Sequence, residues 1–108
     1  MPNTFKNSFQ QAVGQTETTA YTAGSGVQAT VIGMTVANIT TGDVKANVFI
    51  NSSGTNYFLV RDAIIEPGSA LVPIGGDQKL VLEATDYLKV QSDTTSSLDV
   101  VVSVLEIT

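Results

Sequence analysis

Carboxylates offer the strongest chemistry in this sequence, because the chain has 10 Asp and Glu residues but 0 His and 0 Cys. Without histidine and cysteine, serine triads, histidine relays, cysteine nucleophiles and thiolate metal sites are excluded. Glycosidases use a pair of carboxylates, but here the acidic residues are scattered singly over turns and strand ends. No aromatic sugar platform accompanies them, since aromatic residues make up 6% of the chain and Trp is absent. We therefore expect no enzymatic activity.

Two aspartates, Asp77 and Asp86, are the candidates for incidental calcium binding, because both stand in predicted turns. No Asp-x-Asp-x-Asp calcium loop occurs in the sequence. The simpler interpretation of each is a solvated turn residue that bonds to its own backbone. The run Gly75-Gly76-Asp77 also lacks the Gly-Lys-Ser/Thr ending of a phosphate loop. We expect no metal and no cofactor.

The charge of the chain restricts its partners. Five Lys and Arg residues against ten Asp and Glu residues leave a formal net charge of -5. Nucleic-acid binding requires a basic surface that neutralises phosphates, and anionic membranes attract basic segments. Apolar runs are only a few residues long, and the polar residues 1–4 do not resemble a secretory signal peptide. We expect neither nucleic acid nor a membrane as partner.

The elements that position these residues are predicted to be β-strands. Val and Thr occur 14 times each and Ile 7 times, and β-branched side chains favour pleated sheets. Clusters of Gly, Ser, Asp and Asn separate short runs of alternating polarity. The sequence predicts an all-β domain, an antiparallel β-sandwich of about eight strands over residues 16–108, with jelly-roll or immunoglobulin-like connections left open. The predicted segments are 16–22, 27–39, 44–51, 57–61, 64–65, 70–74, 80–82, 87–91 and 98–107.

Alternation along these segments predicts which side chains form the core. In the segment 27–39, one face carries Ile32, Met34 and Val36, and we assign this face to the interior. The last segment, 98–107, is apolar on both faces, which is typical of a central strand. The predicted core comprises Ile32, Met34, Val36, Val48, Ile50, Leu82, Leu88, Val90, Val100, Val102 and Val104.

Residues 1–15 differ from the rest and are interpreted as an N-terminal arm. Phe5, Phe9 and Val13 are spaced by four, which suits one face of a short helix, although a helix of ten residues is marginal alone. A frayed terminus is the simpler alternative. Because short chains rarely leave two phenylalanines in a disordered tail, we favour an arm that contacts a neighbouring subunit. The residues predicted to make this contact are Phe5, Lys6, Phe9, Gln10 and Gln11.

Four stretches carry a resemblance to a known class of proteins: TVIGMTVAN at 30–38, IEPGSALV at 65–72, GGDQKLVLEATDYLKVQS at 75–92 and LDVVVSVLEIT at 98–108. In their order and spacing, residues 17–108 resemble small virion structural proteins of tailed bacteriophages, including marine and cyanobacterial ones. One departure is Thr85, which stands where such sequences often have Gly in a Glu-Ala-Gly-Asp turn. The departure predicts a more open turn.

The resemblance implies a structural role in the virion and no active site. Capsid decoration (cement) proteins, often trimers, clamp neighbouring capsid subunits on the outside of the head. The expected partners are therefore the major capsid protein and further copies of this chain, as a homotrimer or another homo-oligomer. The alternative within the same class is a neck or tail component, where the sandwich packs in a ring.

A different class of function is a small glycan-binding sandwich on a tail fibre. Such modules stack sugars on aromatic side chains, and the candidates here are Tyr21, Tyr57 and Tyr87. Each lies in an alternating segment, where packing within the sheet is the simpler interpretation. A glycan array, or protection of tyrosine fluorescence by host polysaccharide, discriminates this class from a structural protein. The arm makes its own prediction: deleting residues 1–13 abolishes particle binding and leaves the melting of the sandwich unchanged.

Overall fold

The structure is a computed structural model that describes residues 3–74 and 79–107, and it is built from β-strands connected by turns. The described part of the chain contains nine strands, so the prediction of an all-β sandwich of about eight strands is confirmed. Their bounds are β1 (Asn3–Val13), β2 (Thr18–Thr22), β3 (Gln28–Asn38), β4 (Val44–Ser52), β5 (Thr55–Ile65), β6 (Ala70–Ile74), β7 (Leu80–Leu82), β8 (Tyr87–Ser92) and β9 (Leu98–Ile107).

The strands form two antiparallel sheets that pack face to face. The first sheet, sheet A, has the order β1-β9-β3-β6, and β7 pairs with β3 beyond β6 along the same strand. Sheet B has the order β2-β8-β4-β5. The long strand β5 is continuous where the sequence suggested two short segments.

The strand order distinguishes between jelly-roll and immunoglobulin-like connections. Apart from the three-residue β7, the chain passes between the sheets in the sequence A, B, A, B, B, A, B, A, and the last strand lies between the first and the third. This is the order of a jelly roll, a double sheet of eight strands. An immunoglobulin-like sandwich instead pairs its first two strands in one sheet.

The core fills the space between the sheets and matches most of the predicted positions. Nine of the predicted core residues are buried: Met34, Val36, Val48, Leu82, Leu88, Val90, Val100, Val102 and Val104. Ile50 is partly buried against them. The assignment of Ile32 to the interior is wrong, because a register shift between Val31 and Gly33 reverses the alternation of β3. Val31 is therefore buried in its place.

The turn between β7 and β8 shows how Thr85 replaces glycine. Thr85 has a φ of 70°, in the left-handed region that glycine adopts without strain. The backbone N–H of Asp86 donates to the carbonyl of Glu83 at 3.0 Å, so this turn is closed. The expectation of a more open turn is wrong: threonine is accommodated in the conformation of glycine.

No helix long and apolar enough to cross a membrane occurs in residues 3–74 and 79–107.

Candidate interaction surface

The N-terminal segment lies in sheet A as its edge strand. Residues 3–10 of β1 pair with residues 100–107 of β9 in one unbroken antiparallel register. The four-residue spacing of Phe5 and Phe9 therefore corresponds to two pleats of a strand, since side chains of a strand alternate between faces with a period of two. The segment assigned to an arm is thus hydrogen-bonded to the sandwich, while its contact with a neighbouring subunit stays a prediction.

Side chains on the outer face of sheet A form three rows across the strands. The register aligns Phe5, Leu105, Thr30 and Val81 in one row, and Phe9, Val101 and Thr35 in another. Between them, Asn7 accepts a hydrogen bond of 2.8 Å from the Ser103 hydroxyl. We call these three rows, with Ile32, which lines a groove beside Phe5, the apolar face.

The apolar face is exposed and uncharged. Phe5 is 74% exposed and Phe9 is 65% exposed, and Val81 and Val101 are exposed as well. None of the side chains in the three rows carries a charge, although the chain as a whole has a net charge of -5. Exposed apolar patches bordered by polar residues are typical of interaction sites. The face can bind an apolar partner surface by burial, and it presents no group for acid–base or nucleophilic chemistry.

The inner side of β1 is fastened to sheet B by polar side chains. The Ser8 hydroxyl donates to the carbonyl of Ala20, and the Gln10 side chain donates to the carbonyl of Thr19 at 3.1 Å. At the end of the strand, Val13 is buried and its carbonyl accepts the N–H of Ser97 at 2.9 Å. These contacts hold the backbone of β1 in place, so Phe5 and Phe9 project from a fixed support.

Near the start of β1, an ion pair and a hydrogen bond also attach this strand to its neighbours. Lys6 Nζ lies 3.2 Å from Glu106 Oε1, and the Tyr21 hydroxyl donates to Glu106 Oε2. The hydrogen bond from Tyr21, followed by that from Lys6, lowers the pKa of the Glu106 carboxyl against the opposing effect of burial. Burial and the hydrogen bond to Glu106 raise the pKa of Tyr21. Lys6 is therefore paired within the monomer, and its contact with a neighbouring subunit stays a prediction.

The five residues predicted for a subunit contact divide between the two faces. Phe5 and Phe9 lie on the apolar face, and Gln11 is exposed where the bulge of β1 begins. Lys6 and Gln10 point toward sheet B. Sequence reasoning missed Val101 and Leu105 as surface residues, although the apolar character of both faces of 98–107 was the signal that could have identified them.

The three tyrosines do not form a common sugar platform. Tyr21 is buried and bonded to Glu106. Tyr57 pairs with Ile50 and Tyr87 pairs with the next residue, Asn51, so the two exposed tyrosines lie on opposite faces of sheet B. On the outer face, the Lys89 ammonium lies 5.6 Å from the centre of the Tyr87 ring.

A second aromatic group covers the outer face of sheet B. Phe49 is fully buried there beneath Phe58, with ring centres 5.0 Å apart, and Arg61 lies 5.2 Å from the centre of the Phe58 ring. These contacts pair the cation with the aromatic ring. The outer face of sheet B therefore mixes the charged side chains of Arg61 and Lys89 with exposed apolar ones such as Ile64.

The acidic residues act as local hydrogen-bond acceptors. Asp86 accepts the Ser52 hydroxyl at 2.7 Å and the N–H of Glu83 at 3.0 Å. The second calcium candidate, Asp77, lies outside the described residues. Within residues 3–74 and 79–107 no three His, Cys, Asp or Glu side chains are grouped as a metal site would require.

Comparisons with known proteins give one structural likeness. No family model matches the sequence, and no curated protein matches it. The chain is similar to a solved structure of the infectious bursal disease virus Gt strain, with 12% sequence identity and a TM-score of 0.45. The match covers 98% of this chain and 30% of the viral one, so the chain spans less than a third of the length of the protein it matches.

Proposed function

We propose that this chain is a non-enzymatic structural protein of a virus particle, most specifically a capsid decoration or cement protein of a tailed bacteriophage. In this role it stabilises the head lattice by binding the major capsid protein and further copies of itself. The single observation that carries the proposal is the apolar face: sheet A presents two exposed phenylalanines and two exposed valines with no charge among them.

The apolar face supports a contact role because its two apolar rows flank one uncharged polar row, and because hydrogen bonds from Ser8 and Gln10 attach β1 to sheet B. Contacts between proteins concentrate aromatic side chains in a core from which charges are depleted. Phe5, Phe9 and Val101 provide such a core, while Asn7 and Ser103 supply polar groups between them. A support that does not rearrange reduces the entropy lost on binding.

The jelly-roll fold is compatible with this role but does not by itself indicate it. Viral capsid proteins, lectins and cupins all use the fold, so the function has to come from the surface residues. The two exposed tyrosines lie on opposite faces of sheet B and therefore do not support a sugar platform. The apolar face, in contrast, supports a protein contact. A module repeated on a lattice also needs only weak individual contacts, because many act together.

The proposal is tested by particle binding of a variant in the centre of the apolar face. Val101 is 41% exposed on β9, so Val101→Lys places a charge on the face without opening the core. Purified wild-type and variant proteins are sedimented with particles that lack the chain. The matched control is Ile64→Lys, because Ile64 is 63% exposed on sheet B. We expect the wild type and the control to sediment with the particles and Val101→Lys to stay in solution.

Equal binding of Val101→Lys and the control would refute a contact through the apolar face. No binding by the wild type would refute the particle role. A neck or tail component remains the alternative position, and the number of copies per particle distinguishes it from a component of the head lattice.

A further inference from the structure

The edge of sheet A formed by β1 is open to another strand. Within the described residues β1 pairs with β9 alone, so its other edge has no strand partner. Natural proteins block sheet edges with bulges, prolines, charges or very short strands, because an open edge pairs readily with another chain. Over residues 3–10 none of these devices is present except Lys6, which is engaged by Glu106.

The other described edge strands carry such devices. Strand β5 has two register shifts against β4, and Arg61 and Asp62 stand within it, with Asp62 at a φ of 52°. Strand β6 is five residues long and contains Pro73, and β7 is three residues long. Strand β2 is also short and has a register shift against β8. Strand β1 has a register shift of its own between Gln10 and Val13, with Ala12 at a φ of 54°, but this lies at its end. Residues 3–10 therefore stand out as a regular edge that carries no such device apart from Lys6.

We propose that β1 pairs antiparallel with β1 of a second copy of this chain, across a two-fold axis beside Asn7. This inference rests on the proposed role, because it names a second copy as one of the neighbours that the surface binds. The pairing joins two copies of sheet A into one continuous sheet, so the apolar face extends across both copies.

Cross-strand pairing determines which register is used. In the register centred on Asn7, Phe5 of each copy lies opposite Phe9 of the other, and Lys6 lies opposite Ser8. Aromatic pairs stabilise a sheet and opposed like charges destabilise it. A register centred on Lys6 would set Lys6 against itself. Within the regular residues 3–10, a register centred on Phe5 would align only residues 3–7, and one centred on Phe9 would align only residues 8–10. Within the same residues, the register centred on Asn7 aligns residues 4–10 and sets each phenylalanine opposite the other.

Charge permits two copies to approach along this edge. Strand β1 contains no acidic residue, although the chain has a net charge of -5. The acidic groups of the two copies therefore do not face one another across the paired strands. Lys6 is neutralised within its own copy by Glu106.

Single cysteines test the register directly, because the chain has 0 Cys. Opposed α-carbons in an antiparallel pair are about 4.5–5.5 Å apart, which is within reach of a disulfide. Under mild oxidation we expect Asn7→Cys to form a covalent dimer. Phe5→Cys alone should form no covalent dimer, because its two copies are separated by four residues, or about 14 Å along the strand. A mixture of Phe5→Cys and Phe9→Cys should form mixed dimers.

The proposal is overturned if Asn7→Cys does not cross-link, or if Phe5→Cys cross-links to itself as efficiently as it does to Phe9→Cys. Sedimentation of the untreated wild type provides a second readout, since two-fold pairing predicts dimers or assemblies built from dimers, and an isolated trimer would contradict it. Particle binding by the wild type is measured separately. A protein that binds particles but fails to cross-link retains the proposed role and loses the edge pairing.

Discussion

The two phenylalanines of β1 should contribute to association and almost nothing to folding. Phe5 and Phe9 are 74% and 65% exposed in the single chain, so a variant that replaces both with threonine removes little buried surface. Threonine keeps the β-branched character that suits a strand. Exposed substitutions of this kind change the free energy of unfolding by about 0.5 kcal/mol or less.

The effect on association follows from the same exposures. Full burial of a phenylalanine contributes about 1.5–3 kcal/mol. If strand pairing covers half of the exposed part of each ring, each contributes about 0.5–1 kcal/mol, and the four rings of a dimer contribute about 2–4 kcal/mol. The dissociation constant of the dimer should then rise about 30- to 700-fold in the variant Phe5→Thr/Phe9→Thr.

Two measurements separate these effects: sedimentation equilibrium gives the dissociation constant, and urea unfolding of the dilute protein gives the stability of the single chain. The matched control is Tyr57→Thr/Ile64→Thr, which removes two comparably exposed side chains from sheet B. The control should leave both values unchanged. An unchanged dissociation constant in the phenylalanine variant would refute the reasoning, as would a large loss of stability, which would mean that the rings pack within the monomer.

Three further substitutions test the interior and the turns. Val102→Ala should lower the free energy of unfolding by about 2 kcal/mol, because Val102 is fully buried. Val101→Ala is the exposed control. If urea unfolding shows the same loss of stability in both variants, the assigned faces are contradicted. Thr85→Gly should raise stability by about 1 kcal/mol, because it relieves a left-handed threonine; a lower melting temperature would contradict this. The lowered pKa of Glu106 means that its ionised form stabilises the fold above the ordinary pKa of about 4.3 and that this contribution is lost as pH falls through the lower folded-state pKa. Glu106→Gln should therefore show a smaller drop in melting temperature between pH 6 and pH 2 than the wild type, and an equal drop would contradict the contribution. Part of the drop should remain, because Asp93 also has a lowered pKa, chiefly through the N–H of Lys45.

Local sequence patterns predicted the sandwich and most of its core. Alternation is a property of neighbouring residues, so the buried positions of β4, β8 and β9 could be identified from the sequence. The outward-facing position of Ile32 could not be identified in this way, because one bulge between Val31 and Gly33 moves this side chain to the other face of the sheet. The sequence contains no clear signal for that bulge apart from the glycine itself.

The position of the N-terminal segment depends on long-range pairing, which periodicity does not report. A spacing of four suits a helix and a strand equally, and β9, the partner of β1, lies at the other end of the sequence. Because β1 is hydrogen-bonded to β9 and contributes the buried Val13, we now expect deletion of residues 1–13 to lower the melting temperature as well. Point substitutions on the apolar face are the cleaner test of contact.

The copy number of the chain in purified virus particles tests the central claim most directly. Quantitative mass spectrometry can count this chain against the major capsid protein in the same particles. A decoration role on the head lattice predicts a count comparable to that of the capsid protein. A count sufficient for only one or two rings would contradict the lattice role and place the chain in the neck or tail, and its absence from particles would contradict a role in the virion.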